Sequence, residues 1–328
     1  MASSLSRRAV IAGLAAAAPT LATAQPQPGF GRIERLDPAL DALIDASAPV
    51  EKVLDNFPWS EGPVWVGGAD GYLLVSDPRA NVIRSWSAAR GEGEWLRPSG
   101  YSAGELPSLS EPGTNGLILG RGGLLAADSG NRCVVRIDLQ RKTRTVLASR
   151  FEGKRFNSPN DLVLARDGAI YFTDPPHGLR GGGNSPVREL DFTGVYRLAP
   201  NGEVAVIDRT VFPNGIGLSP DNRTLDATDR SGWVAWALDA EGRPTARRQF
   251  VARDAVAGGD GFKVDANGNL WASSRDGISI FDPSGKRLGI IRSDQVISNC
   301  VIAADGYLYM SSNVRVLRVK VKARSLRA

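Results

Sequence analysis

From residue 61 to residue 319 the chain alternates apolar and polar positions in short runs, and the three-to-four spacing of a helix is nearly absent. Alternation of that kind is how a half-buried strand reads. One order recurs six times: a turn residue, an alternating strand, a small or acidic residue, a polar turn, then a second strand. The pairs are 71–77 with 83–86, 123–128 with 134–138, 168–174 with 194–198, 223–229 with 233–236, 268–274 with 278–281, and 306–312 with 316–319. Repeats of about 40–50 residues made of short strands predict stacked blades, because stacking buries faces that no single blade could bury. The expected class is therefore all-β, a six-bladed β-propeller. Residues 50–54 are expected to supply the outer strand of the last blade and so seal an exposed edge. The one helix expected is 38–44, with Leu40, Leu43 and Ile44 apolar and Asp37 as its cap.

Residues 1–24 stand apart from this pattern. Arg7 and Arg8 precede a short apolar run and the small residues Ala22, Thr23 and Ala24, which reads as a signal peptide. The paired arginines point to the twin-arginine route, with an ordinary Sec signal as the alternative. Either implies export, to a periplasm, with no membrane attachment after signal removal. Residues 25–49 read as an N-terminal extension with the short helix, and 50–328 as the propeller, a single catalytic domain.

Composition changes this picture little. The 37 glycines and 20 prolines suit many tight turns, while 42% hydrophobic and 23% charged residues exclude a disordered or membrane-embedded chain. The formal charge is +5, and removing Arg7 and Arg8 leaves +3. A basic tail (Arg315, Arg318, Lys320, Lys322, Arg324, Arg327) accounts for that excess and reads as solvated surface, not a nucleic-acid footprint. Cys133 and Cys300 fall in different repeats and are expected to be unpaired, buried thiols. With them and one histidine, a zinc site of nitrogen and sulfur ligands is all but excluded.

A second feature keeps the same phase as the strands. Upstream of each pair stands one carboxylate or amide: Glu61, Asn115, Asn160, Asn214, Asp260 and Asn299. Asx-Gly is also an ordinary turn dipeptide, but turns need no common phase. Innermost strands line a central channel, so these six side chains should converge on the axis. Two carboxylates and several amides meeting there would repel or stay unsatisfied without something between them. A hard cation resolves this. Calcium fits such oxygens and loose geometry best; Mg²⁺ wants a tighter octahedron, and Mn²⁺ or Zn²⁺ come further behind.

At these residues the chain resembles a known family. Trp59-Ser-Glu-Gly-Pro-Val-Trp65, Asn157-Ser-Pro-Asn-Asp161 with Phe172-Thr-Asp-Pro-Pro176, and Pro213-Asn-Gly-Ile216 with Leu218-Ser-Pro-Asp221 are similar to the SMP-30/gluconolactonase/LRE-like family. So are Asp260-Gly-Phe-Lys-Val-Asp265 and Ser298-Asn-Cys300. The resemblance runs over roughly residues 50–315. It implies six blades, one divalent metal held by Glu61, Asn160, Asn214 and Asp260, and Asp260 as general base. It also implies that Asn115 meets the substrate or a metal-bound water. The chain departs from the family at His177, Gly259, Phe262 and Asp226. The first three bear on substrate identity, the last on packing.

The expected chemistry is metal-assisted hydrolysis of a small lactone, with gluconolactone as the leading substrate. A carboxylate would activate water, Asp260 first and Glu61 second. Asn115, Asp161, His177 and Asn299 are the candidate substrate contacts, although His177 also reads as a structural loop residue. No Gly-x-Ser-x-Gly elbow is present, which argues against a serine hydrolase. The rivals are an esterase or phosphotriesterase using the same metal, and a non-catalytic calcium-binding propeller. Oligomeric state is not legible in the sequence.

Overall fold

The computed structural model describes residues 29–103, 108–253, 256 and 258–326; the expected signal peptide lies outside them. The described residues form six antiparallel blades around one axis. Blade one runs outward from the axis through Glu61–Val66, Tyr72–Asp77, Val82–Ser87 and Gly91–Leu96. The innermost strands of blades two to six are Thr114–Gly120, Leu162–Leu164, Ile216–Leu218, Phe262–Val264 and Asn299–Ile302. Blade six takes its outer strand, Glu51–Leu54, from the N-terminal side, where it pairs antiparallel with Arg315–Lys320. Gly31–Arg35 adds a fifth strand to blade five, which the sequence pattern does not reveal. Two edges are thus covered by one extension.

Burial falls from axis to rim. In blade one the second strand, Leu73–Val75, is wholly sealed, whereas Gly91–Leu96 is largely exposed. Middle strands pack on both faces, so they carry apolar residues at successive positions. The core lies between neighbouring blades: Tyr171 and Val195 of blade three meet Ile216, Leu225 and Trp236 of blade four. Between residues 38 and 44 the chain makes only a short 3-10 turn, Pro38–Ala42, in place of the longer helix expected. Asp37 caps it through the Ala39 amide at 2.9 Å. Leu40, Leu43 and Ile44 pack against the apolar layer between blades five and six.

Neighbouring blades touch most closely where the axial residues stand. The backbone N–H of Gly116 donates to the Asn160 carbonyl at 2.7 Å, and that of Gly215 to the Asp260 carbonyl at 3.3 Å. A Cβ on Gly215 would sit 2.5 Å from the Asp260 carbonyl oxygen, and one on Gly62 or Gly261 would strike Asn115 or Asn299. Hydroxyls tie the same layer together. Ser76 bonds Thr114 at 3.2 Å, Ser129 donates to the Pro159 carbonyl at 2.7 Å, and Thr173 to that of Asn214 at 2.6 Å. Ser273 donates to the Ser298 carbonyl and Ser298 to that of Ser60, at 2.8 and 2.7 Å; between blades four and five the Gly215–Asp260 backbone bond completes the circle.

The acids that end the second strands have a different task. Asp77 and Asp128 accept the amides of Ala80 and Asn131, and Asp174 accepts those of Asn157 and Ser158. They pin turns. Cys133 and Cys300 are free and buried, and burial pushes both thiols up, that of Cys300 to about 12. Arg315 and Arg318 are not solvated tail: they pair with Asp294 and Glu51.

Two outcomes follow from this packing. Gly215 has an ordinary backbone, so Gly215→Ala should cost about 1–3 kcal/mol through steric conflict alone. Gly68→Ala, which meets open space, should stay within about 0.5 kcal/mol of wild type in the same urea titration. Asp226 is buried, lies between Gly217 and Ala235 on neighbouring strands, and burial raises its carboxyl to about 7 despite Arg248. Its folded pKa exceeds its unfolded one, so wild-type stability should fall as pH rises from about 4 to 7. Asp226→Asn should be the more stable protein at pH 8, and the advantage should vanish at pH 4.

Candidate active site

Each of the six axial residues stands at the start of an innermost strand or within two residues of it. In blades one and two the pairing register shifts just after Glu61 and Thr114, so these longer strands bulge where the shorter ones begin. The ring of contacts described above then holds the six backbones together at one end of the axis.

Glu61 is buried, with Oε1 accepting from Trp59 Nε1 at 3.3 Å and Oε2 from the Gly62 amide at 3.2 Å. Asn214 hydrogen-bonds the Asp260 carboxylate through its side chain. The other oxygen of Asp260, Oδ1, is sealed from solvent and has no hydrogen-bond partner. Burial pushes the carboxyls of both Glu61 and Asp260 well up. The charge of Asp260 adds to the effect at Glu61, and those of Glu111 and Asp161 act on both. Asn160 is also buried, its carbonyl held by Gly116.

The other candidates divide. Asn115 donates to Glu111 Oε2 at 3.3 Å, and Glu111 is a buried loop acid that sequence reasoning missed. Asp161 and Asn299 face each other, Asn299 Nδ2 donating to Asp161 Oδ2 at 3.3 Å. Lys263 joins them, with Nζ 3.1 Å from Asn299 Oδ1 and 3.6 Å from Asp161 Oδ2. Only its place inside a quoted motif marked Lys263. It spans to the far end of the axis, where a cavity of about 490 Å³ is lined by apolar residues including Val64, Leu117, Leu162 and Ile216. The axis therefore has one charged end and one greasy end.

Asn214 and Asp260 open onto a separate cavity of about 260 Å³ on the charged side, and His177 stands on its wall. The loop bearing His177 is fixed by Ser110, whose hydroxyl donates to the His177 carbonyl at 2.6 Å. Desolvation first, and then the charge of Arg230, holds the imidazole below its ordinary pKa. It is thus a neutral hydrogen-bonding group near pH 7. Phe212 and Arg230 complete that wall.

This is a donor set of oxygens. Asp260, with an orphaned and sealed oxygen, lies close enough for its charge to act on the buried Glu61 carboxylate, and Asn160 and Asn214 stand just before neighbouring innermost strands. Such a set suits a hard divalent cation and suits a soft or nitrogen-seeking one poorly.

Comparison with known proteins agrees with this architecture. Residues 59–314 match the model of the SMP-30/gluconolactonase/LRE-like region. A gluconolactonase of Zymomonas mobilis subsp. mobilis is 40% identical over 312 residues, covering 89% of this chain and 87% of that protein. The structure of a gluconolactonase from Xanthomonas campestris superposes with a TM-score of 0.77 at 31% identity, covering 91% of this chain and 99% of the other. Regucalcin from Agrobacterium tumefaciens, described as a calcium-binding protein, shares the fold at a TM-score of 0.64 and 17% identity, covering 91% and 98%. Six blades in order, one axial residue from each, and a matched stretch of that length place this chain in the SMP-30/gluconolactonase/LRE-like family.

Proposed function

We propose that this protein hydrolyses a small sugar lactone, gluconolactone first among them, at the charged end of its axis with one bound divalent cation, Ca²⁺ first. The observation that carries the reading is Asp260 Oδ1, sealed and unpartnered at the edge of a ligand-sized cavity. Its setting, a chain 40% identical to a gluconolactonase, supplies the reaction class. Glu61, Asn160, Asn214 and Asp260 would hold the cation, and the calcium-binding description of the regucalcin of like fold favours calcium. When bound, the cation would polarise the lactone carbonyl and offset the charge that develops on its oxygen.

The rest is the work of side chains. Asn214 steadies the Asp260 carboxylate, which lines the cavity and takes a proton from the attacking water. As the water oxygen bonds to the acyl carbon and the ring C–O bond breaks, Asp260 returns that proton to the departing ring oxygen. The product is an open-chain hydroxy acid. Glu61, fixed by Trp59 and its own Gly62 amide, keeps its orientation throughout. His177, neutral, meets sugar hydroxyls as donor or acceptor.

Hydrolysis of glucono-δ-lactone, followed by acid release, should vanish on chelation and return with Ca²⁺. Asp260→Asn should lower kcat by about a hundred- to ten-thousandfold. A wild-type protein that turns over no lactone with any divalent ion would sink the reading. Stability offers a second check. Two buried carboxylates repel in the chelated protein, so Glu61→Gln or Asp260→Asn should melt higher than wild type without metal. Calcium at about a hundredfold excess over Kd should add about 2.7 kcal/mol to wild type and nothing comparable to either variant.

A further inference from the structure

The cavity beside Asp260 has an outer wall that the proposed chemistry leaves unused. Arg230 lies there with its guanidinium carbon 3.9 Å from the centre of the Phe212 ring. Phe212 is itself anchored, its amide donating to Asp229 Oδ1 at 2.8 Å, and its ring meets the His177 imidazole edge-on at 5.3 Å. Arg253 lines the same cavity. Neither guanidinium forms an ion pair or donates a hydrogen bond among the described residues.

Among the described lining residues, no acid pairs with either guanidinium. Asp229 spends its oxygens on the Phe212 amide, the Ser231 amide and the Ser231 hydroxyl, the last at 2.7 Å. Asp260 is the other acid of the described lining, and it belongs to the reacting end. The cavity therefore carries the Asp260 carboxylate of the reacting end and, on its wall beside Asp229, two guanidinium groups that have no ion-pair or hydrogen-bond partner among the described residues. A neutral sugar makes no use of two such forks. A carboxylate or phosphate does, because guanidinium presents paired donors at the spacing of two oxyanion oxygens. Stacking on Phe212 holds one fork ready, so less side-chain entropy is lost on binding.

We propose that Arg230 on Phe212, with Arg253, forms a subsite for an oxyanion, so that the preferred substrate is a lactone carrying a carboxylate or phosphate remote from its reacting carbonyl. This rests on the lactonase reading above and narrows it to an anionic class. Both oxyanions share one recognition chemistry, and the assay separates them.

The test compares kcat/KM for neutral glucono-δ-lactone, a monolactone of glucaric acid and phosphorylated gluconolactone, with the calcium-loaded full protein. Wild type should favour at least one anionic lactone over the neutral one. In Arg230→Gln/Arg253→Gln that ratio should fall about tenfold, mainly through KM, and Arg230→Lys should keep part of it. The wild-type preference should also shrink as salt is raised. A merely structural role would depress all three substrates alike. An unchanged ratio in the double variant, or a wild type that favours the neutral lactone, overturns the subsite. If no lactone is turned over, calorimetric titration with glucarate against neutral glucitol still decides it. Tighter glucarate binding that the double variant loses supports the subsite while the lactonase reading falls; equal affinities remove both.

Discussion

Everything at the axis depends on how closely adjacent blades approach, and that is set by a missing atom. Four of the six axial residues are followed by glycine, at 62, 116, 215 and 261, and each glycine lies against the next axial residue. A methyl group there would push two innermost strands apart, and the donors with them. Because Gly116 and Gly215 also donate to the carbonyls of Asn160 and Asp260, the same contact that brings the strands together fixes their relative height. The hydroxyl bridges from Ser76 round to Ser298, with the Gly215–Asp260 bond between blades four and five, distribute the constraint over all six blades. Position in this site is a property of the ring, and no single loop holds it.

Burial alone does not separate structural acids from those open to chemistry. Asp174 is as buried as any acid here and its carboxyl is pushed up to about 7, yet Asn157 and Ser158 satisfy both its oxygens. Asp128 is likewise held by Asn131 and Arg144. Asp260 feels the same desolvation with one oxygen left unanswered. Desolvation raises the energy of an ionised group, but an unmet acceptor is what makes the group available to a ligand or a proton. The satisfied acids recur at the ends of second strands, where turns need capping. The unsatisfied one sits where strands begin.

That division explains what could be read from the chain. Blade number and the phase of Glu61, Asn115, Asn160, Asn214, Asp260 and Asn299 are periodic, and periodicity survives in sequence. The Asx-Gly pairs looked like turn formers locally; their purpose, close approach between blades, is visible only once neighbours 40 or more residues away lie alongside. Glu111 comes from a loop outside the repeat, and Arg230 from the polar turn of blade four, where residue type is not set by the repeat, so no register announces either. Lys263 sits within an innermost strand three residues past Asp260, and alternation alone does not say that its long chain reaches Asp161 and Asn299. The strand Gly31–Arg35 was missed for a simpler reason, since five residues pairing an edge far along the chain carry no turn signal of a hairpin.

The two ends of the axis also differ in kind, and the difference bears on specificity. At the greasy end most of the lining residues belong to the innermost strands themselves, so changing one of those disturbs the packing that holds the ring. At the charged end the floor is equally constrained, but the wall formed by His177, Phe212, Arg230 and Arg253 belongs to connecting segments that bear little of the core. Loops on a rigid scaffold can change their side chains without moving the reacting groups. A propeller of this kind can thus keep one chemistry at its axis while the charge of the wall selects what reaches it.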